Sequence, residues 1–100
     1  MSIYVYLMMD HSQTKWHTGH CKDMYVMLAA FNEINEMTLN YPPTNYLNRL
    51  VYVEEHPGIE SADNRCAEIV RMNTAQKKDL AMSVNPDLIE LIPGENFELT

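Results

Sequence analysis

The chain has 100 residues, enough for one domain with a single modest core. A hydrophobic content of 46% argues against a disordered chain, and no apolar run approaches the roughly 20 residues that span a bilayer. Fourteen acidic residues against seven basic ones give a formal net charge of −7, a balance that repels phosphates at long range and argues against direct nucleic-acid binding.

In chain order, Ile3 to Met9 reads as a strand rich in aromatic and apolar residues. Tyr4, Tyr6 and Asp10 interrupt any signal-peptide pattern. The polar turn Asp10-His11-Ser12-Gln13-Thr14 leads to a partner strand, Lys15 to Thr18, so the chain opens with a hairpin. From Asp23, a plausible N-cap, Met24, Met27, Leu28, Phe31 and Ile34 follow helical spacing. Asn35 to Asn48 contains Pro42-Pro43 and is expected to be a loop. Arg49 to Glu55 is the clearest strand, stopped by His56-Pro57-Gly58. A second helix is expected from about Glu60 to Met72, burying Ala62, Cys66, Ile69 and Val70. Thr74 is suited to cap a third, short helix through Leu80 and Met82, which Asn85-Pro86 ends. The remainder carries the apolar pairs Leu88-Ile89 and Leu91-Ile92. Residues 1–92 are expected to form the domain and 93–100 an acidic tail. After Lys78 no basic residue occurs, while Asp79, Asp87, Glu90, Glu95 and Glu98 follow. Solubility alone is one reading of that charge. Two cysteines are too few for a disulfide scaffold, so an intracellular, cytoplasmic protein with reduced thiols is the expectation.

The order ββαβαα, an α+β class, carries a resemblance. Tyr4-Val5-Tyr6 and Trp16-His17-Thr18-Gly19 on a hairpin resemble the two signature tripeptides of the GIY-YIG nuclease superfamily, in its small stand-alone bacterial-type branch. Leu50-Val51-Tyr52-Val53-Glu54-Glu55 is similar to that branch's third strand. Ala62, Arg65, Ala67 and Ile69 fit its second helix, and Ala75-Gln76-Lys77-Lys78 with Asn85-Pro86-Asp87 fit its third helix and closing turn. The likeness covers roughly residues 3 to 91 and implies a three-stranded antiparallel sheet flanked by helices.

The resemblance also implies where a catalytic set would lie. Such a nuclease gathers tyrosines, an arginine that steadies phosphate charge and a glutamate that holds a divalent metal. Here Tyr6 keeps the first tyrosine and Gly19 the turn glycine, but the second tyrosine falls on His17. The arginine falls on Met27, the following histidine on Phe31, and the metal-binding glutamate on Cys66. Losing one charge-stabilising group typically costs a factor of about 10² to 10³. A thiol is a poor ligand for magnesium, which demands hard oxygen donors. Glu68 lies two positions past Cys66, about 200° around a helix, and cannot replace the lost glutamate. The segment from Asn32 to Asn48 contains Glu33 and Glu36 and no Lys or Arg, so the family's basic loop is absent too.

His17, His20, Cys21 and Cys66 are zinc-ligand types, and the family fold is expected to bring His17 near Cys66. They lack the paired, tight spacing of a structural zinc site, and a strand would point them apart. Cys66 as a small buried hydrophobe and His17 as a partly exposed ring is the simpler expectation, with no metal or cofactor. A thiol nucleophile at Cys66 with His17 as base is the catalytic alternative. Most of the eight methionines are expected in the core, an exposed subset suiting a protein-binding surface. Trp16, Tyr41 and Tyr46 are candidate interface anchors and Glu33 and Glu36 candidate charged contacts, although Trp16 could equally cover the hairpin.

These residues lead to the expectation of a catalytically inactive GIY-YIG-like domain working as an acidic protein-binding module or inhibitor. One concrete form is a phage or mobile-element protein that blocks a basic nucleic-acid-binding complex of its host. The alternatives are a divergent metal-dependent DNA endonuclease using Tyr6, His17 and another glutamate, and a structural homodimer or adaptor subunit.

Overall fold

Ile3, Val5, Leu7 and Met9 alternate with Tyr4, Tyr6 and Met8, and this period-two pattern sets the layers of the molecule. A computed structural model describes residues 2–10, 15–37 and 47–97, the side chains of 32–37 and 47–48 excepted. Its elements are β1 (Ile3–Asp10), β2 (Trp16–Cys21), α1 (Met24–Met37), β3 (Leu47–His56), α2 (Ile59–Val70) and α3 (Thr74–Met82). The strands form one antiparallel sheet in the order β2-β1-β3. Among the described residues no helix is long and apolar enough to cross a membrane.

As the central strand, β1 has both edges paired and is buried on both faces. One face sends Ile3, Val5, Leu7 and Met9 against Ala62 and Ile69 of α2 and Ala81 of α3. The other sends Tyr6 and Met8 against Met24 and Met27 of α1 and Leu50 of β3. The turn closing the hairpin is held by Asp10, whose N–H donates to the Lys15 carbonyl at 3.1 Å and whose Oδ1 accepts from Lys15 N–H at 2.9 Å. Asp23 caps α1 as expected, its Oδ1 accepting the Tyr25 and Val26 N–H groups at 2.9 and 3.2 Å.

Several expected details move. β2 continues past Thr18 to Cys21, because Gly19, His20 and Cys21 find partners opposite Tyr6, Val5 and Tyr4. α1 runs through Met37 and β3 begins at Leu47, so the segment between them is shorter than the expected loop. Asn73, not Thr74, caps α3. Its side chain accepts from Gln76 N–H at 2.8 Å while the Gln76 side chain accepts from Asn73 N–H at 2.9 Å, a reciprocal capping box. Val70, expected on the buried face of α2, is 62% exposed, because the face toward the sheet is already supplied by Ala62 and Ile69.

Beyond α3 the chain returns along β3. Asn85 is buried and organises that return, its amide donating to the carbonyls of Val51 (3.1 Å) and Ile89 (2.9 Å) and its oxygen accepting from Ile89 N–H. Leu88 takes a left-handed backbone (φ 49°), uncommon for a non-glycine, while its side chain is buried in the core. The Leu91 N–H then donates to the Leu50 carbonyl at 2.8 Å, and a bridge between Pro93 and Phe97 closes a turn.

Candidate functional site

Tyr6 and Gly19 sit opposite one another across β1 and β2, on the face covered by α1. The Tyr6 ring lies directly over Gly19. A methyl at residue 19 would stand 2.6 Å from the Tyr6 hydroxyl oxygen and 3.0 Å from Cζ, closer than real carbon contacts allow. Burial, followed by the charges of Cys21 and Cys66, pushes the Tyr6 hydroxyl above its ordinary 10, so it is a proton-bearing phenol at neutral pH. His17 lies beside it with ring centroids 5.9 Å apart, and Phe31 of α1 lies 5.3 Å beyond His17. Burial holds His17 below its ordinary 6.5, favouring the neutral ring. Met27 is buried in the same apolar cluster as Tyr6. Tyr6, His17, Met27 and Phe31, four of the six residues that the resemblance singles out, therefore meet in one tilted aromatic and thioether stack, with Gly19 beneath.

Cys66 is placed differently. It packs on the α2 face with Trp16, opposite the face carrying Tyr6 and Met27. From there it is still close enough to Tyr6 for a thiolate at residue 66 to raise the Tyr6 pKa. Burial, then the carboxylates of Asp63 and Glu54, raise its thiol pKa. Burial and Asp23 raise that of Cys21 to about 11. Both thiols are protonated at neutral pH, which makes them poor nucleophiles. The other zinc-type residues are committed elsewhere. His20 pairs with Asp63 of α2 at 2.6 Å, and the Cys21 thiol lies 3.3 Å from the Met24 sulfur. Among the described residues, no three His, Cys, Asp or Glu side chains converge as metal ligands do.

Of the candidate contact residues, Trp16 is half-buried and covers the hairpin on the α2 side, its indole N–H enclosed without a hydrogen-bond partner among the described residues. Glu33 and Glu36 lie on α1 with side chains outside the described set, and Tyr41 and Tyr46 lie outside the described residues. Met8, Met9, Met24 and Met27 are core residues.

A second cluster was not singled out from sequence. Tyr52, Glu54 and His56 alternate along β3, and Arg65 and Ser61 reach them from α2. The Glu54 carboxylate accepts from the Tyr52 hydroxyl, from Arg65 Nε at 2.8 Å and pairs with His56 Nε2 at 2.6 Å. His56 Nδ1 lies 2.5 Å from Ser61 Oγ, and Arg65 also donates to Glu68 at 3.0 Å. Burial alone would raise the Glu54 pKa, but the hydrogen bonds from Tyr52, His56 and Arg65 outweigh it and hold the group below its ordinary 4.5. Burial and the bond to Glu54 push Tyr52 up to about 12. The i, i+2 spacing of Tyr-x-Glu-x-His on a strand, followed by an arginine one helix later, is the signal from which this network is readable.

No protein-family model and no curated protein sequence matches the chain. Its structure is similar to the solution NMR structure of a UPF0213 protein from Bacillus halodurans, with a TM-score of 0.53 and 22% sequence identity, covering 87% of this chain and 89% of that one. UPF0213 is a family with a GIY-YIG-like fold. With its three-stranded antiparallel sheet and the order ββαβαα, this α+β chain is a small GIY-YIG-like domain in fold.

Proposed function

We propose that this chain is a catalytically inactive GIY-YIG-like domain that works by binding another protein. The observation that carries the reading is the surroundings of Tyr6. Where phosphoryl transfer needs cationic and metal-bound groups around the tyrosine, Tyr6 is a buried phenol among Met8, Met24, Met27 and the His17–Phe31 pair. The position that the resemblance gives to the metal ligand carries Cys66, a protonated thiol in place of a hard oxygen donor. Glu54, the partly buried carboxylate on the neighbouring strand, already serves Tyr52, His56 and Arg65. That commitment weighs against the reading of a divergent nuclease recruiting another glutamate.

The charge distribution supports binding to a basic protein surface. Asp79, Asp87, Glu90 and Glu95 are exposed, and no basic residue follows Lys78 in sequence. A surface of this sign is suited to compete with nucleic acid for a cationic channel, the form an inhibitor of a host nucleic-acid-binding complex would take. The test is a mobility-shift competition, in which a nucleic-acid-binding complex of the native host is titrated with the protein. Release of nucleic acid, lost when Asp79, Asp87, Glu90 and Glu95 are changed to lysine, is the expected result. Unchanged release by the charge-reversed protein sinks this account of how it acts.

A further inference from the structure

The return segment after α3 mixes apolar and acidic residues, and the structure does not bury all of the apolar ones. Leu88 is in the core and Leu91 is fixed to β3, but Val84 is 67% and Ile89 is 52% exposed. With Val53 and Phe97, these two line a groove of about 400 Å³. The two asparagine amides of its wall are already committed to the chain's own backbone. Asn85 serves Val51 and Ile89, while Asn96 accepts from Ile92 N–H at 2.7 Å and donates to the Glu90 carbonyl at 2.8 Å. The groove therefore presents apolar side chains, with Asp87 in its wall and Glu90 and Glu95 on the same segment. Arg49 of β3 directs its guanidinium to the Leu88 carbonyl at 3.4 Å.

We infer that this groove binds a cationic amphipathic segment of a partner protein, which inserts aliphatic side chains between Val84, Ile89 and Phe97 and sets Lys or Arg against Asp87, Glu90 and Glu95. Apolar side chains beside the Asp87 carboxylate, on a segment that also carries Glu90 and Glu95, complement such a partner and disfavour nucleic acid and anionic peptides. The inference rests on the protein-binding reading above and names the chemistry of the partner.

The experiment measures fluorescence anisotropy of a labelled helical peptide of leucine and lysine, with two comparison probes: the leucine–glutamate peptide of the same pattern and polylysine. Wild-type protein is expected to bind the leucine–lysine peptide at least about tenfold more tightly than either comparison probe. The double variant Val84→Ser/Ile89→Ser, at exposed positions, is expected to keep the wild-type circular dichroism and to weaken binding about tenfold. The triple variant Asp87→Asn/Glu90→Gln/Glu95→Gln is expected to weaken it and to flatten its salt dependence, whereas Glu60→Gln on α2 leaves it unchanged. Backbone amide shifts on titration should cluster at residues 84–97. Peptide binding that both groove variants leave intact overturns the groove while the protein-binding reading stands. Failure to bind either the leucine–lysine peptide or polylysine overturns both. Self-association of the wild type that Val84→Ser/Ile89→Ser abolishes assigns the groove to a second copy and overturns the inference.

Discussion

At Gly19 a hydrogen in place of a methyl decides whether Tyr6 can lie across its neighbouring strand. The 2.6 Å approach to the Tyr6 oxygen gives the glycine a packing reason independent of any chemistry. Gly19→Ala is expected to destabilise the protein by about 1 to 3 kcal/mol in urea unfolding, the usual range for overpacking. Tyr6→Phe removes the closest atom and leaves Cζ at 3.0 Å, so the double variant should lose less than the two single losses combined. Strict additivity would show that the ring does not press on Gly19. His17 adds a pH dependence. Its folded pKa lies below 6.5, so the unfolded chain takes the proton more readily, and stability should decline as the pH falls from 6.5 through the folded value. The imidazole NMR titration should have its midpoint below 6.5, and His17→Phe should remove this part of the pH profile. A midpoint above 6.5 would reverse the sign and contradict the buried setting.

At the scale of elements, the β3–α2 network joins strand to helix through one carboxylate. Glu54→Gln leaves Arg65 with Glu68 as its anionic partner and is expected to cost about 1.5 to 3 kcal/mol, the range for hydrogen bonds to charged groups. Because the folded Glu54 pKa lies below 4.5, its stabilisation is fully present above that pH and is lost as the pH falls through the folded value. Acid unfolding monitored by circular dichroism should therefore begin at higher pH in the wild type than the remaining carboxylates alone dictate, and Glu54→Gln should be less stable at pH 7 but less sensitive to acid below 4.5. An unchanged stability at pH 7 would remove Glu54 from the account.

The elements themselves were largely legible in the sequence. β1 announces itself through alternation, α1 through Met24, Met27, Leu28 and Phe31 with Asp23 as its cap, and β3 through its Leu-Val-Tyr-Val run. What escaped depends on distant partners. Gly19 and His20 look like turn residues until β1 supplies their ladder, and Val70 fits a helical apolar stripe until Ala62 and Ile69 prove to fill the contact. Asn73 and Gln76 spell a capping box one residue ahead of Thr74, and the reciprocal bonds form there. Of the candidate site, the cluster of Tyr6, His17, Gly19, Met27 and Phe31 followed from the residues that fix the fold. The packing of Cys66 beside Trp16 did not, because it depends on how α2 docks on the sheet.

For the molecule as a whole, a three-stranded sheet carries α2 and α3 on one face and α1 on the other. It is a scaffold with a GIY-YIG-like fold. The residues that would bring cations and metal to Tyr6 are Met27, Phe31 and Cys66, and the net charge of −7 opposes approach of a polyanion at low ionic strength. Both facts support the proposal that its role is contact with protein. The most direct measurement is cleavage of supercoiled plasmid by the purified protein in magnesium and in manganese. The account predicts no nicking above buffer, with wild type and Tyr6→Phe indistinguishable. Metal-dependent nicking by the wild type that Tyr6→Phe abolishes would contradict it.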